Sequence, residues 1–143
     1  MCGALDFTAR VGLITGGSRG FGRGIAVAFL TGGADVAVCG RNAPDELPNA
    51  GGKNAIFVSA DVRDADQVEK MVNTVVERLG RLDVLINNAG GAPFAEAATA
   101  SPRFSEKIIQ LNLTAALHCA QHANRIMQAQ DSGGSIVNIA SVS

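Results

Sequence analysis

A chain of 143 residues, 47% hydrophobic and 17% charged, has the apolar material for one domain with a buried core and too little charge for a disordered polymer. Its net charge is −1 with no basic run, so nucleic-acid binding has no electrostatic support, and its apolar stretches fall well short of the roughly 20 residues that span a bilayer. The first ten residues lack the basic and apolar regions of a secretory signal, and Cys2, Cys39 and Cys119 are odd in number with no C-x-x-C, which fits a reducing cytoplasm and makes Cys39 and Cys119 small buried hydrophobes.

Arg10–Thr15 is a short apolar run bounded by glycine and reads as a buried strand. After a Gly-rich turn, Gly24–Leu30 carries Ile25, Ala26, Phe29 and Leu30 at helical spacing, and Gly32 and Gly33 end that helix. Asp35–Cys39 is a second strand. Gly40–Lys53 is a Gly/Pro/Asn-rich loop, with a helical turn at Asp45–Leu47, and Ala55–Ser59 is a third strand. Asp64 stands as an N-cap with Gln67 in capping-box spacing. Val68, Met71, Val72, Val75, Val76 and Leu79 then form one apolar helix face, closed by Gly80. Leu82–Ile86 is a fourth strand, Ser105–Gln130 a long helix, and Ser135–Ala140 a fifth strand.

Short apolar strands alternating with helices predict an α/β fold, a parallel sheet covered on both faces. Right-handed crossovers make it doubly wound, with strand order 3-2-1-4-5 and a switch point between strands 1 and 4. Ligands of such sheets sit at the carboxyl ends of the strands near that switch.

Two motifs fall at that edge. The first is Thr15-Gly16-Gly17-Ser18-Arg19-Gly20-Phe21-Gly22, which follows a strand and opens a helix. A helix N-terminus offers unpaired N–H groups and partial positive charge to a pyrophosphate, and glycines let the backbone approach it. Its G-x-x-x-G-x-G spacing departs from the commoner dinucleotide pattern, and a tight turn would use the same glycines. The second motif is Asn87-Asn88-Ala89-Gly90, whose amides can bridge neighbouring strand ends but which alone is an ordinary strand exit.

Together, about 70 residues apart and on one edge, these motifs resemble the short-chain dehydrogenase/reductase family. The resemblance runs to Ile136-Val-Asn-Ile-Ala-Ser141 and covers the first half to three-fifths of a full member. It implies a Rossmann-type dinucleotide-binding domain over residues 1–143, truncated after strand 5. By the same resemblance Gly16, Gly20 and Gly22 form the glycine loop, with Gly17, Ser18 and Arg19 beside the phosphates and Phe21 among the cofactor-binding residues. Asp61 and Val62 lie beside the adenine, and Asn88, Ala89 and Gly90 contact the cofactor. Asn112 holds a water in a proton relay, and Ser141 is the catalytic serine. Asp61 also suits a loop start, Asn112 a satisfied core amide and Ser141 a turn, with Ser143 as the alternative serine.

An NAD enzyme of this fold has an acid at the end of strand 2 for the ribose 2′-OH. Here that strand runs into Gly40-Arg41, and Asp35 stands at its far end. Arg41 and Arg19 suit a 2′-phosphate, favouring NADP over NAD, unless Arg41 is a solvated loop charge. His118 and His122 are four apart on a helix, but no further ligand matches them, and no metal is expected.

The resemblance implies hydride transfer between nicotinamide and a small alcohol or carbonyl substrate, with a tyrosine as general acid/base and a lysine four residues later. No tyrosine occurs in the chain. Its expected place is about a dozen residues past Ser141, so the chain is expected to be a fragment, inactive alone. The resemblance also implies a homo-oligomer when full length, whose subunit contact leaves an apolar face on Ser105–Gln130. The alternatives are a non-catalytic module that binds a dinucleotide or a partner, and a chain too incomplete to fold.

Overall fold

A computed structural model describes residues 5–141; Cys2 and the alternative Ser143 lie outside them. Strand β1 (Val11–Thr15) leads through the glycine loop into α1 (Gly20–Thr31), then β2 (Asp35–Gly40). Two short strands, β3 (Asn49–Ala50) and β4 (Lys53–Asn54), precede β5 (Ile56–Ser59) and α2 (Ala65–Leu79). Strand β6 (Val84–Asn87) follows. Next come α3 (Pro102–Ile109), a π-helical turn (Gln110–Thr114), α4 (Ala115–Gln128) and β7 (Ser135–Asn138).

The main sheet is parallel with order β5-β2-β1-β6-β7. That is the expected 3-2-1-4-5 once the β3–β4 hairpin is set apart, and β1 and β6 are neighbours at the switch. Alternation along each strand divides the core in two. Leu13, Ala37, Cys39 and Leu85 face α2 and α4, where Val68, Met71, Val75, Cys119 and Ala123 complete one cluster. Ile14, Val36 and Val38 face α1, meeting Ala26 and Leu30 in the other. Burial pushes the thiols of Cys39 and Cys119 up to about 12, so both behave as the apolar residues expected of them.

Several boundaries differ from the sequence expectation. Helix α1 starts at Gly20, inside the glycine motif that opens it and four residues before the apolar spacing of Gly24–Leu30. Residues 45–47 form a bend and no helical turn; the loop instead contains the β3–β4 hairpin, turned by Gly51 and Gly52 at φ 59° and 75°. The long helix starts at Pro102 under a Ser101 cap and is interrupted by the π turn around Asn112. Asp64 caps α2 by accepting the N–H groups of Asp66 and Gln67, and Gln67 reaches back by donating from Nε2 to Asp64 Oδ2 at 3.0 Å, while its Oε1 accepts the N–H of Asp61 in place of that of Asp64. Asp35 pairs with Lys53 at 2.9 Å, at the end of β2 away from the ligand edge.

Candidate functional site

The ends of β1 and β6 are welded by five side-chain hydrogen bonds, one of them from Thr15 Oγ1 to the Ile86 carbonyl at 3.4 Å. Thr15 Oγ1 accepts the N–H groups of Asn88 and Ala89 at 3.0 and 2.9 Å. In return Asn88 Nδ2 donates to the carbonyls of Thr15 and Gly16 at 3.0 and 3.3 Å. Gly16 takes φ 63°, which turns the chain out of the strand, and its N–H bonds the Cys39 carbonyl of β2 at 2.9 Å. A Cβ on Gly22 would run into Asn88 Nδ2 and the Gly16 carbonyl, so this glycine lets α1 seat directly on the weld.

The weld holds the start of α1 against an open cleft. Arg19 is the N-cap residue, yet its side chain caps nothing and the first turn has no acid. By contrast α2 and α3 have their first N–H groups satisfied by Asp64 and Ser101. The α1 terminus therefore keeps bare donors and an uncompensated dipole end. Beside it, Ser18 Oγ is buried with no hydrogen-bond partner among the described residues.

The cleft has a volume of about 680 Å³. Along its floor run Gly16, Ser18, Arg19, Gly20, Phe21 and Gly22. Arg41, Asp61 and Val62 from the exits of β2 and β5, and Asn88, Ala89 and Gly90 from the exit of β6, complete its lining. Gly17 alone of the glycine-loop residues is not in the wall; it is buried underneath, where a Cβ would lie 2.6 Å from Val38 Cγ1. Asp61 is already engaged by Arg63, whose Nη2 and Nε lie 2.6 and 2.9 Å from its oxygens. The Arg63 guanidinium holds the Asp61 carboxyl below the usual carboxylate range.

A second cavity of about 720 Å³ shares Val62, Ala89 and Gly90 with the first and extends past the β6 and β7 exits. Asn112, Asn138 and Ser141 line it. Asn112 lies in the π turn with its amide fully engaged: Oδ1 accepts the Gly91 N–H at 2.8 Å, and Nδ2 donates to the carbonyls of Gly91 and Ile108, both at 2.9 Å. A π turn breaks the regular carbonyl ladder at this wall. Buried Asn87 donates to Asn138 Oδ1 at 2.9 Å and to the Ala116 carbonyl at 3.2 Å, fixing the β7 exit that leads to Ser141. His118 and His122 find no third ligand; among the described residues no group of three His, Cys, Asp or Glu side chains gathers.

Residues 10–143 match the sequence profile of the short chain dehydrogenases. The chain belongs to that family. A 3-oxoacyl-[acyl-carrier-protein] reductase of Synechocystis is 36% identical over 141 residues, which are 94% of this chain and 57% of that one. A 3alpha-hydroxysteroid dehydrogenase of Mediterraneibacter gnavus is 32% identical over 140 residues, 93% of this chain and 56% of that protein. Among solved structures, a short chain dehydrogenase from Mycobacterium smegmatis superimposes with a TM-score of 0.90 at 30% identity, over 98% of this chain and 61% of that one. The chain thus spans about half the length of the curated relatives it matches.

Family motifs locate the glycine loop and the Asn88 brace, but three cleft features lie outside them. Arg63, two residues after Asp61, is half-buried in the cleft wall and pairs with that acid. Leu111 reaches the cleft from the π turn, and Asn42, Ala43 and Pro44 line it from the loop after β2. Nothing in a periodicity argument marks these positions.

Proposed function

We propose that residues 1–143 form the dinucleotide-binding domain of an NADP-dependent oxidoreductase that interconverts an alcohol and a carbonyl. The uncapped α1 terminus, seated on the Thr15–Asn88 weld and facing the cleft, carries this reading. Its bare N–H groups and the unpaired Ser18 hydroxyl fit a pyrophosphate in charge and donor type. Both relatives named above are called a dehydrogenase or a reductase. A nicotinamide, when bound, gives or takes the hydride.

The chain's own residues bind and orient. Gly20 leaves open space above the loop, since a Cβ there would meet nothing within 4 Å. Arg19 and Arg41 are the cations for a 2′-phosphate, and Asp61 with Val62 borders the adenine end. Ala89 and Gly90 border both cavities, and Asn88 lines the first. Ser141 would hold a substrate oxygen by hydrogen bond and Asn112, through the opened helix ladder, would order a water; both lining the second cavity supports this. The stripe Ile109, Leu113 and Leu117, 55–60% exposed on one helix face, supports a homo-oligomer for the longer protein. Buried unpaired thiols support the cytoplasm as its compartment.

Titration with NADPH and NADH tests the reading. The chain should bind NADPH more tightly, and Arg41→Ala should weaken NADPH by roughly tenfold or more while leaving NADH nearly unchanged. Equal losses for both would remove the phosphate assignment, and no binding of either would remove the dinucleotide reading.

The absence of any tyrosine favours a second reading for these 143 residues, a binding module without turnover. A phenol of ordinary pKa about 10, tuned down by a neighbouring cation, is what the family's proton transfer requires. Purified chain should therefore oxidise no NADPH with any small carbonyl. Steady turnover that survives purification and vanishes in Ser141→Ala would contradict this.

A further inference from the structure

The loop after β2 lines the cleft from Arg41 to Pro44, and it is held at two points. At its start, Ser59 Oγ donates to the Arg41 carbonyl at 3.3 Å. At its far end, Arg23 of α1 donates from Nη1 to the Glu46 carbonyl at 2.7 Å and from Nη2 to the Leu47 carbonyl at 3.4 Å. Leu47 packs into the cluster around Ile25 and Phe29, and Asn49 Nδ2 reinforces the turn by donating to Glu46 Oε1 and the Leu47 carbonyl. Asn42, Ala43 and Pro44, which line the cleft, hang between these clamps.

We propose that Arg23 is a positioning residue for the nucleotide, fixing the 42–47 segment so that its wall closes on the adenosine end of the cleft. Arg23 does not line the cleft, so it touches no ligand there and acts only through the segment it holds. Its place on the second turn of α1 matters. The helix whose start faces the pyrophosphate also fixes the wall on the adenosine side, so the two ends of the site share one rigid support. Two bonds from one planar guanidinium set both the height and the tilt of the segment. A loop left to order itself on binding would take that cost from the affinity. The proposal rests on the dinucleotide reading above.

The test uses the whole chain with adenosine 2′,5′-bisphosphate and NADPH as calorimetric ligands, and amide exchange on the ligand-free protein. In Arg23→Ala, bisphosphate affinity should fall by roughly tenfold, the scale of ordering a few loop residues on binding. Amide exchange should quicken within 42–47 while α1 keeps its protection. Arg23→Lys, which can restore the bond to the Glu46 carbonyl but not the second to Leu47, should recover only part of the affinity. Affinity in Arg23→Ala within about twofold of the unsubstituted chain would overturn the proposal. So would faster exchange throughout α1, which marks a damaged helix instead of a released segment. If the unsubstituted chain binds neither ligand, the dinucleotide reading fails before any variant is made, and the role of Arg23 falls with it.

Discussion

Replacing Asp83 by alanine should cost the fold about 3 kcal/mol, seen as a lower urea midpoint with unchanged slope. Asp83 is 5% exposed and stands just before β6, at the edge of the sheet opposite the cleft. Its carboxylate accepts the Val11 N–H at 2.9 Å, Arg10 Nη1 at 3.0 Å, and Arg81 Nε and Nη2 both at 2.7 Å. Its backbone N–H bonds the Val11 carbonyl, and its carbonyl accepts the Ser135 N–H. One residue thus joins the starts of β1, β6 and β7. The arginines are partly exposed and regain water when the acid is removed. The buried Val11 N–H cannot, and the loss of that partner together with the bidentate pair sets the magnitude.

The same carboxylate makes stability pH-dependent. Burial alone would raise its pKa, but the hydrogen bonds from Arg81, the Val11 N–H and Arg10 outweigh this and hold it below the usual carboxylate range. A group with a depressed folded pKa contributes fully above its unfolded pKa and loses that contribution as pH falls through the folded one. Stability should therefore drop once pH passes below roughly 4. Asp61, lowered by Arg63, adds in the same direction from the cleft side. Asp83→Asn should start lower at neutral pH and lose less on acidification. Parallel urea-midpoint curves for the two proteins would show that Asp83 does not carry the acid dependence.

How much of this was legible in the sequence divides by range. The order of the five strands and the switch point between β1 and β6 follow from local runs and from general rules of handedness, and Asp64 and Gly80 mark α2 at both ends. The β3–β4 hairpin left a signal in Gly51-Gly52, a pair suited to two positive φ angles, but its arms of two residues have no apolar alternation to accompany it. The π turn left none, since Asn112 has the same helical spacing whether or not an extra residue is accommodated. The tertiary bonds are the largest gap. Asp83 to Val11, Arg23 to Glu46 and Asn87 to Asn138 join residues 23 to 72 positions apart, and no single sequence states which donor meets which acceptor. In the candidate site the glycine loop was readable from its backbone demands, and Asn88 from the family resemblance that its motif carries with that loop. Arg63 and Leu111 were not, because many side chains would serve there.

Gly22→Ala and Gly24→Ala, two residues apart on α1, should move in opposite directions. Gly24 is exposed in the helix, and a Cβ there meets nothing within 4 Å. Alanine restores helix propensity and limits the unfolded chain, so stability should rise by up to about 1 kcal/mol with nucleotide affinity unchanged. At Gly22 the added methyl enters the space of Asn88 Nδ2 and the Gly16 carbonyl. Neither can move cheaply, since Asn88 is bonded to Thr15 and Gly16, and Gly16 to Cys39. Overpacking of this kind costs about 1–3 kcal/mol, and here it shifts α1 away from the strand exits. The donors at the start of α1 lose their aim at the cleft, and NADPH affinity should fall by at least roughly tenfold. Melting curves and titrations of the two variants separate the effects. If Gly22→Ala binds NADPH as tightly as Gly24→Ala, the seating of α1 on the Asn88 weld does not set the site, and the nucleotide is held by something other than the helix terminus.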